Sequence, residues 1–393
     1  MKSLFDQPID RTGTNSVKWD TRKSMFGSSD ILPMWIADMD FPCPEPVLNS
    51  LRKVIDSRVI GYSFAPDSLY EAICQWQKNH HQMVLKKDMI LFSPGVVTSL
   101  ALCVQTLTNQ GESVLIQDPV YPPFSEVITL NNRKLLTSPL KIEHNTYRMD
   151  FNDIEQKIQD NDVKLFLLCS PHNPGGRVWT AGELRKLLDI CQKHGVYVVS
   201  DEIHGDLVYQ PEQFHSTVTL KDDYASFVVT LTSPTKTFNL AGIKNSVLLV
   251  PNPDIRRLLQ EEQEKSEMNA INTFGYVAME TAFSEGASWH LELMAYLERN
   301  LEMVCNFFDK ELPSVFYMKP EATYLFWFDC SSLGISGDKL TEVFAEVGKI
   351  GLNAGIAYGK EGTQFMRFNF ASRKELVQES LIRIKKVFDL YTR

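Results

Sequence analysis

The stretch Ser226-Phe227-Val228-Val229-Thr230-Leu231-Thr232-Ser233-Pro234-Thr235-Lys236-Thr237 decides the fold. From Ser226 to Thr232 it is β-branched, aromatic or hydroxylic and carries no charge, the composition of a strand covered on both faces in a mostly parallel sheet. In such open α/β sheets the ligand crevice lies at the carboxyl ends of the strands. Lys236 stands at that end, in a hydroxyl-rich turn. A lysine desolvated there has a lowered pKa, and its neutral amine can form a Schiff base with an aldehyde. Ser233 and Thr235 carry hydroxyls of the kind a phosphate group uses.

Further strands are expected at Glu112–Gln117, Val163–Cys169, Val196–Ser200 and Ser246–Val250, alternating with helices. One helix starts at Ser93-Pro94-Gly95-Val96-Val97-Thr98 and runs into the apolar face of Leu100, Val104 and Leu107. Its free N–H groups at Gly95, Val96 and Val97 suit a phosphate, because the glycine admits a close approach. A second begins with Thr180 as N-cap and Glu183 as its capping-box partner, and closes at Gly195. After the strands come Tyr121, fixed by Pro122 and Pro123; Asn173, in His172-Asn173-Pro174-Gly175; and Asp201, with His204 beyond it. Different strands thus deliver a phenol, an amide, a carboxylate and an amine to one sheet edge.

That set is what pyridoxal phosphate needs. Asp201 would keep the ring nitrogen protonated, Asn173 and His204 would donate to the phenolate oxygen, Tyr121 would stack on the ring, and Gly95–Val97, Ser233 and Thr235 would meet the phosphate.

Elsewhere the sequence is plainer. Residues 1–30 are polar and read as an arm. Pro33-Met34-Trp35-Ile36-Ala37-Asp38-Met39-Asp40-Phe41-Pro42 fits a packed extended segment and a substrate-pocket wall equally well. Glu45–Asp56 is helical, Gly61-Tyr62-Ser63 is a turn exposing a phenol, and His80-His81 reads as a solvated helix end. Leu291, Met294, Leu297, Leu301 and Val304 form a core stripe at helical spacing. Thr323–Phe328, Gly351–Tyr358, Phe365–Phe370 and a helix over Lys374–Tyr391 complete a smaller α/β unit. The expected organisation is an arm and packing segment (1–45), a large cofactor-binding domain (46–283) and a small carboxyl-terminal domain (284–393).

The composition is that of an ordinary globular protein: 393 residues, 44% hydrophobic and 23% charged, long enough for two cores. A formal net charge of -9 argues against nucleic acid or an anionic membrane as partner. No apolar run is long enough to span a bilayer and the amino terminus lacks a signal-peptide core, so a cytoplasmic location is expected. Seven scattered cysteines form no C-x-x-C pair and eight histidines show no H-E-x-x-H spacing, so no metal site is expected. There is no G-x-G-x-x-G after a strand, and Gly355–Glu361 lacks the pattern of a P-loop.

Ser-x-Thr-Lys at Ser233–Lys236, Asn173-Pro174-Gly175, Ser200-Asp201-Glu202-Ile203-His204, Pro119-Val120-Tyr121-Pro122-Pro123-Phe124 and Arg367-Phe368-Asn369-Phe370-Ala371 together resemble the fold-type-I, pyridoxal-phosphate-dependent aminotransferase superfamily, in order and over nearly the whole chain. Trp35–Phe41 and Lys236–Gly242 resemble, within it, the MalY/PatB branch of cystathionine β-lyases and C–S lyases. The resemblance implies an α/β fold of the aspartate-aminotransferase type, with Lys236 as catalytic lysine and Arg367 holding the substrate α-carboxylate. It puts Trp35, Ala37 and Tyr121 on the substrate side. Tyr62 would reach the phosphate of a neighbouring subunit, which implies a homodimer with shared sites. Lys244 stands where many members have a phosphate-binding arginine; a lysine cannot make the same fork. Thr235 replaces a more usual serine. The implied reaction is β-elimination from L-cystathionine or L-cysteine to pyruvate, ammonia and homocysteine or hydrogen sulfide. Transamination is the alternative, and an added regulatory binding role a further one.

Overall fold

The uncharged runs of the middle of the chain assemble into one sheet in the computed structural model, which describes residues 3–391. Its strands are β1 (Ile90–Ser93), β2 (Ser113–Asp118), β3 (Lys134–Pro139), β4 (Val163–Cys169), β5 (Tyr197–Asp201), β6 (Val228–Thr232) and β7 (Ser246–Leu249). They lie in the order β1-β7-β6-β5-β4-β2-β3. β7 runs antiparallel to both neighbours, and every other pairing is parallel. Every residue of β1, β2, β6 and β7 is buried, as strands covered on both faces require. The strand ends differ from expectation by a residue or two, with Ser226 belonging to a preceding 3-10 turn. β3 was not anticipated: it is the sheet's edge, half exposed, and begins with a lysine.

Helices α1 (Val96–Leu107) and α2 (Ala181–Lys193) follow β1 and β4 in the chain. The α2 capping box forms as expected: Glu183 N–H donates to Thr180 Oγ1 at 3.2 Å, and Thr180 N–H to Glu183 Oε2 at 2.9 Å. His80-His81 ends the helix Asp67–His81, but the expectation of a solvated end fails for His81. Its side chain turns inward, with Nε2 2.8 Å from an Asp206 oxygen, and the His80 ring stacks on Trp76.

The carboxyl-terminal part holds a second, antiparallel sheet: β8 (Tyr317–Met318), β9 (Leu325–Asp329), β10 (Asn353–Ala354) and β11 (Phe365–Asn369), in the order β8-β9-β11-β10. It packs with the long helix α3 (Ala287–Glu311) and with α4 (Lys374–Tyr391). The stripe expected on α3 forms except at its first position, and Met294 packs against the core. Leu297, Leu301 and Val304 are buried, but Leu291 is 70% exposed, and the buried face runs through Trp289, Leu293, Tyr296 and Phe308. Phe5 of the amino-terminal arm inserts edge-on against Trp289 and Phe41 and leans on Tyr296, which extends the buried face of the helix to the arm. The polar arm is therefore bound to the body, and Leu32–Pro33 pairs in parallel with Ile350–Gly351.

Candidate active site

The carboxyl ends of β1, β2, β4, β5 and β6 open on one rim, and each continues into a predicted site residue. Past β6, Lys236 sits in the four-residue helix Pro234–Thr237, capped by Ser233. The Ser233 hydroxyl donates to Asn245 O at 2.6 Å, accepts from Thr235 N–H at 3.1 Å, and lies 2.8 Å from the Thr235 hydroxyl. Both hydroxyls belong to an internal chain that fixes the lysine turn, so a phosphate bound there would draw one of them out of it. Lys236 Nζ donates to Ala37 O at 2.6 Å. Burial, then the like charge of Arg367, lowers its pKa to about 8, against the opposing pull of Asp38 and Asp201.

Past β5, Asp201 is buried, and among the described residues its carboxylate accepts from Ile203 N–H alone, at 3.1 Å. Burial pushes its carboxyl up to about 7. A buried carboxylate without a bonded cation is costly unless a ligand provides one. His204 is buried beside it with Nδ1 unpartnered; burial and the charges of Lys236 and Arg367 hold its pKa near 3, so its ring is neutral. Past β2, Tyr121 is partly buried between the apolar clusters on the two sides of the sheet, and burial raises its phenol. Past β4, Asn173 is buried, its N–H on Cys169 Sγ at 3.4 Å. Past β1, Gly95 caps α1 at φ +126°, and a Cβ built on it meets no heavy atom within 4 Å. An uncrowded glycine cap beside the unpaired first N–H groups of a helix suits an anion.

Arg367 reaches the rim from β11. It donates to Asn173 Oδ1 at 3.2 Å, to Trp35 O at 2.9 Å and to Asn353 Oδ1 at 2.9 Å, and lies over the Tyr358 ring at 5.2 Å. Every one of these partners is neutral, and its Nε has none. A buried guanidinium whose charge is left unneutralised is a receptor for a carboxylate.

The segment 35–41 crosses this rim as a strap: it is packed and it lines the site, but it bends at residues 36–38 and 40–41 where an extended segment was expected. It lines the site by its carbonyls. The Trp35 side chain does not reach the site; its indole N–H donates to Lys18 O at 3.1 Å and its ring meets Phe26 edge-on. Its bulk is core, and the backbone oxygen is what Arg367 takes. Ala37 O accepts from Lys236 and also from Tyr324 Oη at 2.9 Å.

Tyr62 and Lys244 stand apart from this cluster. Both are exposed and neither forms a hydrogen bond or ion pair among the described residues. Val59, Ile60 and Phe64 are exposed around Tyr62.

Tyr324, Asn353, Asn369 and Asn239 went unread in the sequence. Asn369 Nδ2 donates to Ile36 O at 2.6 Å and Asp38 O at 2.7 Å; Asn239 bonds Met39 and Phe41 through both of its amide atoms. The strand period would have found Asn369, which shares a face with Arg367 two residues earlier. Nothing local marks Asn353 or Tyr324. No group of His, Cys, Asp and Glu among the described residues could hold a metal, and no helix among them is long and apolar enough to cross a membrane.

A buried amine and an unpaired carboxylate on a parallel sheet rim, a glycine-capped helix start that suits an anion and an unneutralised arginine fit pyridoxal phosphate and an amino acid. They define an enzyme of the pyridoxal-phosphate-dependent aminotransferase fold. Comparison with known proteins agrees: the family model for aminotransferase class I and II matches residues 40–384. Cystathionine beta-lyase PatB of Bacillus subtilis is 41% identical over 381 residues, 97% of this chain and 98% of that one. Protein MalY of Escherichia coli is 31% identical over 369 residues, 93% of each chain. Among solved structures, cystalysin from Treponema denticola, which contains pyridoxal 5'-phosphate, superposes with a TM-score of 0.95 at 32% identity over 99% of each chain. The pyridoxal-phosphate-bound C-S lyase from Staphylococcus hominis gives 0.92 at 30% identity over 98% of each. The chain belongs to the aminotransferase class I and II family, in its MalY/PatB branch of C–S lyases. It is a pyridoxal-phosphate-dependent C–S β-lyase.

Proposed function

We propose that this enzyme cleaves L-cystathionine, L-cysteine and related β-thio amino acids to pyruvate, ammonia and a thiol. The observation that carries the reading is the pairing of a low-pKa amine, Lys236, with an arginine whose charge meets only neutral acceptors. Pyridoxal phosphate, when bound, supplies an electron sink for negative charge developing at the substrate Cα. Asp201, Asn173, His204 and Tyr121 would hold its ring, and the Gly95–Val97 amides with Thr235 and Ser233 its phosphate. Arg367 takes the substrate carboxylate in place of the Trp35 carbonyl and so orients the Cα–H bond. Lys236, with a pKa near the working pH, takes the Cα proton as general base. The Cβ–S bond breaks and its electron pair leaves with the thiolate. Water hydrolyses the remaining three-carbon amino fragment at its C–N bond to pyruvate and ammonia, with homocysteine or hydrogen sulfide as sulfur product.

The exposed apolar run about Tyr62 supports a homodimer in which that phenol completes the partner's phosphate site, with Lys244 at its margin. Residues 46–283 form the cofactor-binding domain and 284–393 the small domain in this reading, with 1–45 packing on the latter, and the enzyme works in the cytoplasm.

The test is pyruvate release from L-cystathionine by the cofactor-loaded protein with no keto acid added. Sustained release over many turnovers is expected. Conversion of the cofactor to its amine form without pyruvate, reversed by a keto acid, would make the protein an aminotransferase.

A further inference from the structure

The strap that receives Lys236 is gripped from behind by the amino-terminal arm. Arg11 forks the Asp38 carboxylate, with Nη1 3.0 Å from Oδ1 and Nη2 2.7 Å from Oδ2, and also reaches Asp40 Oδ1 at 2.8 Å. Lys18, fully buried, donates to Asp40 Oδ2 at 2.8 Å, and the Trp19 indole to Asp40 Oδ1 at 2.9 Å. Two carboxylates are thus matched by two cations in a mostly buried cluster that touches no part of the rim directly. Such a cluster is a demanding construction, since each ion is desolvated and loss of one strands its partner. Its consequence reaches Lys236 because Asp38 directly follows Ala37, whose carbonyl takes the amine.

We propose that Arg11 is a positioning residue for Lys236: by forking Asp38 it fixes the Ala37 carbonyl and neutralises the carboxylate of the residue next to it. The proposal rests on the reading of Lys236 as the reacting amine. The charged groups facing Lys236 are Arg367 from β11, Asp201 from β5 and Asp38 from the strap, with His204 neutral and the Tyr324 phenol protonated. Of the carboxylates, Asp38 is the one held by a forked arginine. Without Arg11, Asp38 would keep only its looser pairing with Lys18 Nζ, at 3.8 Å, and its less compensated charge would favour the ammonium form of Lys236.

The experiment uses the full-length apoprotein and pyridoxal phosphate, following imine formation by its visible absorbance as a function of pH. Lys236→Ala should form no imine at this site, which tests the underlying reading by itself. Arg11→Gln should move the midpoint of the rate profile up by about one pH unit, an approximately tenfold slower reaction on the acid side. Asp38→Asn should move it down, and the double variant should return it towards the wild-type value. Arg11→Lys, which keeps the charge without the fork, should fall between wild type and Arg11→Gln. If Lys236 forms the imine but Arg11→Gln leaves the midpoint in place and only lowers the melting temperature, Arg11 is structural and the proposal is wrong. Should Arg11→Gln fail to fold, an unmoved midpoint in Asp38→Asn and in Arg11→Lys overturns it equally.

Discussion

The sheet rim and the strap across it both carry the chemistry, and they are held by opposite means. At the rim the backbone is satisfied by strand ladders, so the side chains beyond them are free to be left unsatisfied. Asp201 has no cation, and His204 Nδ1, Ser93 Oγ and Thr230 Oγ1 are buried without partners. In the strap no strand pairing exists between residues 35 and 41. Its carbonyls are taken by Arg367, Asn369, Lys236, Tyr324, Lys18 and Asn239, and its carboxylates by Arg11 and Lys18. A segment held by side chains spends its carbonyls and carboxylates on that hold, whereas one held by its ladder can aim unpaired groups at a ligand. The rim therefore offers unmet needs that a cofactor can meet. The strap offers acceptors that keep Lys236 and Arg367 in place until a substrate claims them.

The sharpest break of this contrast is at Lys236, the rim residue that the strap holds. Lys236→Ala should cost at least ~10²–10⁴-fold in pyruvate release, the usual worth of a positioned general base; a variant turning over at the wild-type rate would remove the lysine from the chemistry. Arg367→Ala should come next. Losing a charge-assisted pair of about 1.5–3 kcal/mol lowers kcat/KM by roughly 10–150-fold, chiefly through KM if the arginine binds the carboxylate uniformly. A loss confined to kcat, with KM unchanged, would mean that Arg367 acts only on the transition state.

How much of this contrast the sequence reveals follows from the same difference. Strands buried on both faces announce themselves as uncharged runs, and the residues after them fall at the ligand edge by topology; Tyr121, Asn173, Asp201 and Lys236 were legible for that reason. β3 was not, because an edge strand has no need to be uncharged. The contribution of Trp289 and Tyr296 to the buried face of α3 was not, because their partner Phe5 lies far away in the chain. The strap was hardest. Ala37 meets Lys236 across 199 positions and Trp35 meets Arg367 across 332, and no local periodicity encodes such a pairing. The resemblance brought Trp35 to notice through its side chain, whereas the contact it makes with Arg367 is through its carbonyl, its indole being bonded to Lys18 O.

Asn369→Ala tests whether the strap really depends on side chains. It removes the donors to the Ile36 and Asp38 carbonyls together, so about 1–3 kcal/mol of stability and roughly tenfold in kcat/KM should go. Denaturant unfolding alongside steady-state kinetics checks both; a silent substitution would show the strap held by its packing alone.

The smallest effect tests the rim, and it concerns stability. Asp201 titrates near 7 in the folded protein against about 3.9 for an ordinary aspartate. Between those values the folded chain keeps a proton the unfolded chain has lost. The group's contribution to stability is thus fully present at acid pH and declines as pH rises through that window. The melting temperature of the apoprotein should carry this downward slope from pH 4 to pH 7. Asp201→Asn cannot ionise, so it should lack the slope and melt higher at pH 8, by roughly 1 °C for each kcal/mol relieved in a chain of this length. Cofactor loading should flatten the wild-type slope as well, by giving the carboxylate the cation it lacks. An apoprotein whose pH dependence is unchanged by Asp201→Asn would mean that the rim already satisfies this group, and the difference between rim and strap would shrink to geometry alone.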